Sequence, residues 1–594
     1  MYSKLVNYVD ALNHYRRKKI SNRNFLVFAA LVVGALSGLA AALLKTLTHH
    51  IEEFLQSGFQ WQYKYYLFFF FPFFGILLSV LYVRKFIRKS KFETGLTPLL
   101  YTISKKSSKI EPHNIYSQII TAALTVGFGG STGLEAPIVT SGSGIGSIVG
   151  RFLGLSYRES TMLLACGAAG AISSAFNSPI AGIVFAIEIL LPEFTIPAFI
   201  PLLLASATAA VVGRLFFNEQ LFFLVTGGWE MDALIYYVIL AILIGGFSIY
   251  FTKANYLIKS NFYKIKNPYH KVAIGGLLLG LMVFLFPTLY GEGYITIKQL
   301  LSGNNAAVIS NSIFSEYRSF PWLIIAFTLV TVFAKSMATL VTLGAGGNGG
   351  IFAPSLIMGG LIGFLVAFTA NTLGIAQLNT ANFIVAGMAA SLSAIMHAPL
   401  TGIFLIAEIT GGYVLMVPLM ITSAISYLIN RSANKYSIYT KPLAEKGELL
   451  SHEDKDSTVL NMMKLRFLIE KDYLVLRTDD ILASKLPDIL QSKRNIFPVL
   501  KKDNSLQGII YVEDILRNTL NKEASLHLHD LIQLAPYTVT PETNVKAVLE
   551  IMERENIWVL PVLDDHDTYL GFVSKTAIFN KYRALLSRQA DYME

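Results

Sequence analysis

A duplication of interrupted apolar segments restricts this chain more than any other feature. Gly129-Gly130-Ser131-Thr132-Gly133-Leu134-Glu135-Ala136-Pro137 aligns without gaps on Gly346-Gly347-Asn348-Gly349-Gly350-Ile351-Phe352-Ala353-Pro354, at an offset of 217 residues. Farther along, Gly167, Pro179 and Glu188 keep the spacing of Gly387, Pro399 and Glu408, at an offset of 220. Two patterns repeated at nearly one offset mark two copies of one ancestral half. Backbone that leaves the helical ladder inside a bilayer must be covered by protein or line a cavity, since lipid cannot satisfy its polar groups. Breaks placed equivalently in two halves therefore point to a site where the halves meet, as in transporters built from repeats.

Composition puts those breaks in a membrane. Of 594 residues, 53% are hydrophobic and 15% charged, against about 25% charged in an average soluble domain. Apolar runs near the length of about 20 residues needed to span a bilayer cover 24–47, 65–83, 234–251, 271–289 and 321–343. A soluble enzyme is excluded. The first residues are polar and basic rather than apolar, so no cleavable leader is expected. Arg16, Arg17, Lys18, Lys19 and Arg23 precede the first run, and Arg84, Lys85, Arg88, Lys89 and Lys91 follow the second; the positive-inside bias puts both stretches, and both termini, in the cytoplasm. The whole chain carries +10, while Pro442 to Glu594 carries −5, so the basic excess belongs to the membrane part and signals no nucleic-acid partner. The single Cys166 sits in an Ala/Gly-rich apolar stretch and reads as a packing residue. No His/Cys/Asp spacing suggests a metal.

The breaks carry anion chemistry. A glycine turn leading into a helix presents unpaired backbone N–H groups, and the macrodipole adds positive charge there. Gly349 and Gly350 permit such a turn, and the apolar run after it predicts a helix starting near Phe352. Ile351 and Phe352 then offer amides, which suit a halide that must be held loosely enough to leave. In the other half Gly133 precedes Glu135, an ionisable residue where its counterpart has Phe352. An intramembrane carboxylate is costly unless functional. Glu135 is expected to occupy the anion's own place and to leave it when protonated or displaced.

On these residues the sequence resembles the CLC family of chloride channels and chloride/proton exchangers, over essentially its whole length. Gly133-Leu134-Glu135-Ala136-Pro137 is similar to the family's GREGP motif, with Leu134 in place of Arg, and the resemblance makes Glu135 the gating glutamate and proton acceptor. Gly350-Ile351-Phe352-Ala353-Pro354 matches GxFxP, whose Ile351 and Phe352 amides would bind the central chloride. Glu93-Thr94-Gly95-Leu96-Thr97 stands at the GSGIP motif, so Thr94 would replace the coordinating Ser; Tyr436 in Lys435-Tyr436-Ser437 resembles the coordinating Tyr. Where many exchangers carry an inner proton glutamate this chain has Ile189, beside Glu188. The resemblance implies an all-α polytopic protein of two inverted halves, a homodimer with one pore per subunit, and chloride as the transported ion with no cofactor required. The expected function is chloride/proton antiport in the inner membrane of a prokaryote. A passive channel and a non-transporting membrane sensor are the alternatives.

Hydropathy falls after Asn430, and short β-type runs then alternate with helical patterns. Pro498 and Gly508 sit ten residues apart, as do Pro561 and Gly571, so this region is a duplicated α/β module resembling a CBS-domain pair. The expected organisation is a basic terminus at 1–23 and a membrane domain at 24–441, with halves of about 24–230 and 231–441. A linker at 442–455, CBS modules at 456–522 and 523–586 and a tail at 587–594 follow. Asp514 and Ser574 are what survives of the family's ribose-contact pattern, for an adenine nucleotide. His397 reads as a hydrogen-bonded packing residue, and Lys335 as one that pairs internally or snorkels toward the cytoplasm.

Overall fold

In a computed structural model, the described residues are 22–57, 64–87, 92–191, 196–217, 227–310, 312–411, 413–446, 448, 460, 463–520, 528–564 and 567–590. The basic N-terminus and most of the linker expected at 442–455 lie outside them. The chain divides into two compact units, Met1–Leu449 and Leu450–Glu594.

The first unit is helical. Its first half contains α1 (Asn22–Ser57), α2 (Lys64–Phe86), α3 (Thr97–Lys105), α4 (His113–Gly127), α5 (Glu135–Phe152), α6 (Tyr157–Phe176), α7 (Pro179–Phe185) and α8 (Ile196–Phe216). The second contains α9 (Leu234–Lys264), α10 (Pro268–Leu285), α11 (Tyr294–Leu301), α12 (Pro321–Gly344), α13 (Phe352–Thr372), α14 (Thr380–Met396), α15 (Pro399–Ile409) and α16 (Met416–Ala433), and α17 (Lys441–Ala444) follows. Among the described residues seven helices are long and apolar enough to cross a membrane. Five answer to the apolar runs in the sequence; α8 and α13 are added. Gly and Ser interrupt the apolar character of those two. The run at 271–289 stops at Leu285, because Pro287 opens a separate 3-10 turn.

Each long helix shows why it sits where it does. On α1, Phe28, Val32, Leu36, Leu39 and Leu43 are exposed at three- and four-residue spacing, while Ala29, Ala30, Val33 and Ser37 are buried. Gly34 and Gly38 lie against the backbone of Ala205 and Ala209 on α8, so close that a Cβ would meet a carbonyl oxygen. Small residues are what let membrane helices approach, since apolar surface gains nothing by leaving lipid.

The duplication in sequence is a duplication in space. α5 and α13 start at the equivalent positions Glu135 and Phe352. α6 and α14 end in left-handed caps at Asn177 (φ 53°) and His397 (φ 57°), followed by helices that open on Pro179 and Pro399. Gly142 packs on the Gly167 carbonyl, and its counterpart Gly359 on that of Gly387. The two breaks themselves join: Gly133 N–H donates to Gly350 O at 2.9 Å and Gly350 N–H to Gly133 O at 2.8 Å, an antiparallel bridge. That pairing, with the Thr132 hydroxyl donating to the Gly350 carbonyl at 2.8 Å, satisfies backbone that neither helix could.

The second unit is α/β. β1 (Leu476–Arg477), β2 (Ile496–Leu500) and β3 (Leu506–Tyr511) form one sheet, and β4 (Val559–Leu563) and β5 (Tyr569–Ser574) another. The hairpins share one register, Val499 opposite Gly508 and Val562 opposite Gly571, with an irregularity at the same place in each. The modules exchange segments: Glu470 pairs with Phe572 and Gln533 with Ile509. Met463, Leu465 and Leu468 consequently fill the core of the second hairpin, and Leu528 and Leu531 that of the first. Sequence order therefore misassigns these short segments, for each is apolar enough to serve either core.

Candidate functional site

The paired breaks hold Glu135 at the first position of α5. Its side chain is 3% exposed. Oε1 accepts from the Tyr294 hydroxyl at 3.0 Å, and Oε2 lies 3.4 Å from the Ala353 N–H in the first turn of α13. A carboxylate of one half thus sits at the helix N-terminus of the other, where unpaired N–H groups and the macrodipole favour negative charge. The breaks are held by polar side chains of neighbouring helices. Thr125 Oγ1 accepts from the Asn348 N–H at 3.0 Å, and Asn348 Nδ2 donates to Gln118 Oε1 at 2.8 Å and Thr121 Oγ1 at 2.7 Å.

Ile351 and Phe352 are buried, at 4% and 2% exposure. The Phe352 ring lies 5.6 Å from Phe176 and 6.4 Å from Phe185 between centroids, so the site has apolar walls around backbone donors. Gly133 is held close: a Cβ there would stand 2.1 Å from Glu135 Oε2 and 2.9 Å from Ala353 Cβ. Gly349 and Gly350 are pressed likewise against Thr132 and Ala136.

The two side chains expected to coordinate chloride, Tyr436 and Thr94, are not buried. Tyr436 is half-buried, with the Lys435 ammonium 5.5 Å from its ring. Tyr439 is the buried tyrosine. Its phenol lies near the Ile351 amide, while its hydroxyl has no hydrogen-bond partner of ordinary geometry among the described residues. The two tyrosines are three positions apart, and only the path of the chain after α16 distinguishes them. Thr94 is exposed, in the turn before α3 where Gly95 takes φ 83°. Thr97 ties that turn to the Tyr439 segment, its hydroxyl donating to the Tyr439 carbonyl at 3.0 Å.

Other charged groups gather around Glu135 without any motif to announce them. Glu292 Oε1 accepts from the Leu134 N–H at 3.1 Å. Lys335, 1% exposed, donates to the carbonyls of Gly291 at 2.9 Å and Leu289 at 3.4 Å. Lys45 donates to the Ala175 carbonyl and lies 5.7 Å over the Phe176 ring.

Glu188 and Glu408 serve each other's half. Glu408 accepts from the N–H groups of Ile180 (3.1 Å) and Ala181 (2.8 Å), and Glu188 from those of Leu400 (3.0 Å) and Thr401 (2.8 Å). Each carboxylate caps the short helix opposite it, a structural role repeated by the duplication. Ile189 beside it is half-buried, in a π-helical turn over Ala186–Leu190. His397 is bonded through Nε2 to Asn430 Oδ1 at 2.9 Å.

In the second unit Asp514 accepts from Gln533 Nε2 at 2.8 Å, and Ser574 Oγ caps the helix Lys575–Ala590 by accepting from the Ala577 N–H at 3.0 Å. Both have local work to do. The Arg494 guanidinium bonds Asp472 and Glu470, holding the Asp472 carboxyl below its usual range, and stacks 4.4 Å over Tyr473.

Known proteins resemble this chain in sequence and in fold. A ClcB-like protein of Ralstonia nicotianae is 31% identical over 332 residues, 54% of this chain and 72% of that one. The H(+)/Cl(-) exchange transporter ClcA of Vibrio parahaemolyticus is 30% identical over 344 residues, 55% of this chain and 69% of its own. Among solved structures, a slow cyanobacterial Cl-/H+ antiporter covers 72% of this chain and 99% of its own, with TM-score 0.61 and 23% identity. A eukaryotic CLC transporter covers 94% and 99%, with TM-score 0.58 and 17% identity. The CBS-domain model matches residues 528–584. The voltage-gated chloride channel model matches residues 75–431, which include both breaks and every helix that borders them, and the chain therefore belongs to the CLC family.

Proposed function

We propose that this protein moves chloride across a membrane in exchange for protons, with Glu135 as gate and proton acceptor. The observation that carries this reading is the carboxylate of one half seated at the helix N-terminus of the other, held by Tyr294 and facing the Ala353 amide. A carboxylate there stands where an anion would be held. When it takes a proton it loses the charge that those donors favour and can leave to admit chloride. The amides of Ile351 and Phe352 then coordinate the ion together with the Tyr439 hydroxyl, which takes the part expected of Tyr436. Thr94 lines the approach beyond it. Gly133, Gly349 and Gly350 keep the space clear of side chains. Chloride needs no resident cofactor in this scheme. Cytoplasmic termini and a homodimer complete it, each subunit having its own path.

A passive channel is the second reading, favoured by one feature: Ile189 leaves no carboxylate where an inner proton glutamate would stand. The experiment that separates them is the reversal potential of purified protein in a planar bilayer under a pH gradient. An exchanger's reversal potential follows that gradient and a channel's ignores it. Glu135→Ala should retain or raise chloride flux and abolish linked proton movement; persistent proton coupling would remove Glu135 from its role.

A further inference from the structure

We infer that Glu292 is a second carboxylate of the gate, a positioning residue that acts through Glu135. The inference rests on the gate reading above and adds a residue to it. Glu292 lies between Gly291 (φ 59°) and Gly293 (φ 99°). Those left-handed conformations fold the chain sharply just before α11 and are open to glycine at little cost. The turn reaches two adjacent residues of the gate at once. Glu292 holds the Leu134 backbone N–H at 3.1 Å, and Tyr294 holds the Glu135 side chain at 3.0 Å.

The groups around Glu292 come from every neighbouring element. Lys45 on α1, Lys335 on α12 and Glu135 on α5 are the charged groups that bear on it, and Tyr294 follows two residues later. The Glu52 carboxylate of α1 borders Gly291. Lys335 also donates to the carbonyl of Gly291, the residue before Glu292, so an ammonium anchors the turn that carries the carboxylate. Glu135 and Lys335 are almost fully buried, whereas Glu292 retains partial exposure. An ionised Glu292, bonded to the backbone of the residue next to the gate, repels an ionised Glu135 and so favours proton uptake by the gate, while its bond to the Leu134 N–H holds the turn in place.

Glu292→Gln isolates the charge, because its amide oxygen can still accept from Leu134. Chloride flux from proteoliposomes is measured against pH for wild type, Glu292→Gln, Glu292→Asp, Glu135→Ala and the Glu135→Ala/Glu292→Gln double variant. Removing a neighbouring negative charge should shift the midpoint of the Glu292→Gln profile to lower pH, by on the order of one unit. Glu292→Asp should stay near wild type, and the two variants lacking Glu135 should share one flat profile. A Glu292→Gln profile that superimposes on wild type, or is scaled down equally at every pH, overturns the inference, as does a midpoint difference between the two Glu135→Ala proteins. Failure of the gate reading looks different: wild type and Glu135→Ala would show the same pH dependence, and both readings would end together.

Discussion

Replacing Tyr294 by Phe tests the proposed gate with one atom. The Tyr294 ring is buried and set edge-on to Phe176 at 6.4 Å, so phenylalanine keeps the packing. What is lost is the hydroxyl that donates to Glu135 Oε1 at 3.0 Å. A hydrogen bond to a charged group contributes about 1.5–3 kcal/mol, and more is at stake when burial prevents water from replacing the donor. The Ala353 N–H, at 3.4 Å, is too long to compensate much. A loss of about 2 kcal/mol corresponds to roughly a 30-fold fall in the closed-to-open ratio. Chloride turnover in proteoliposomes should rise toward that factor until another step limits it. The sign with pH follows from the chemistry: the bond is strong only to the carboxylate, so the ratio of variant to wild-type flux should be largest at alkaline pH and approach one as Glu135 becomes protonated. Equal fluxes throughout, or a ratio that grows toward acid, would refute the claim that Tyr294 holds the gate shut.

Three further outcomes are expected. Tyr439→Phe should weaken chloride binding by about tenfold, the worth of one hydrogen bond to an ion, while Tyr436→Phe leaves it unchanged; calorimetric titration with chloride reads both, and the opposite ranking would return the role to Tyr436. Gly359→Ala places a methyl 2.2 Å from the Gly387 carbonyl oxygen and must part α13 from α14, at about 1–3 kcal/mol; unfolding in detergent should detect it, and wild-type stability would mean the helices are looser than described. Phe572→Ala removes a buried ring packed 4.6 Å from Tyr473 at a tilt of 48° and should lower the stability of the second unit by about 3–5 kcal/mol. Limited proteolysis of the intact protein during heating should then cleave that unit at a lower temperature, and an unchanged cleavage temperature would exclude the packing role.

The breaks around Glu135 are legible in the amino-acid sequence because their ingredients are local. Gly133 and Gly350 interrupt the apolar segments, Ala136-Pro137 and Ala353-Pro354 restart helices, and Glu135 is the one acid among them; spacing alone exposes the two halves. The symmetric roles of Glu188 and Glu408 can be suspected for the same reason. Tyr439 is within reach but looks no better than Tyr436, since both follow α16 by a few residues and nothing local tells which side chain turns inward. The apolar character of α13 is visible only in part, as its Gly359, Gly360 and Gly363 face the carbonyls and side chains of α14 and α11 rather than lipid.

The amino-acid sequence by itself determined where the backbone breaks, which residue there is acidic, and that the pattern occurs twice, because these depend on residue type and short spacing. Tertiary structure alone decided the company Glu135 keeps. Lys45, Glu292, Tyr294, Lys335 and Tyr439 come from positions up to about 300 residues away, each on an element whose own pattern reads as ordinary membrane helix or turn. Their meeting depends on how the two halves pack, with Gly133 bonded to Gly350 at the seam, and long-range packing leaves no periodic trace in the chain that produces it.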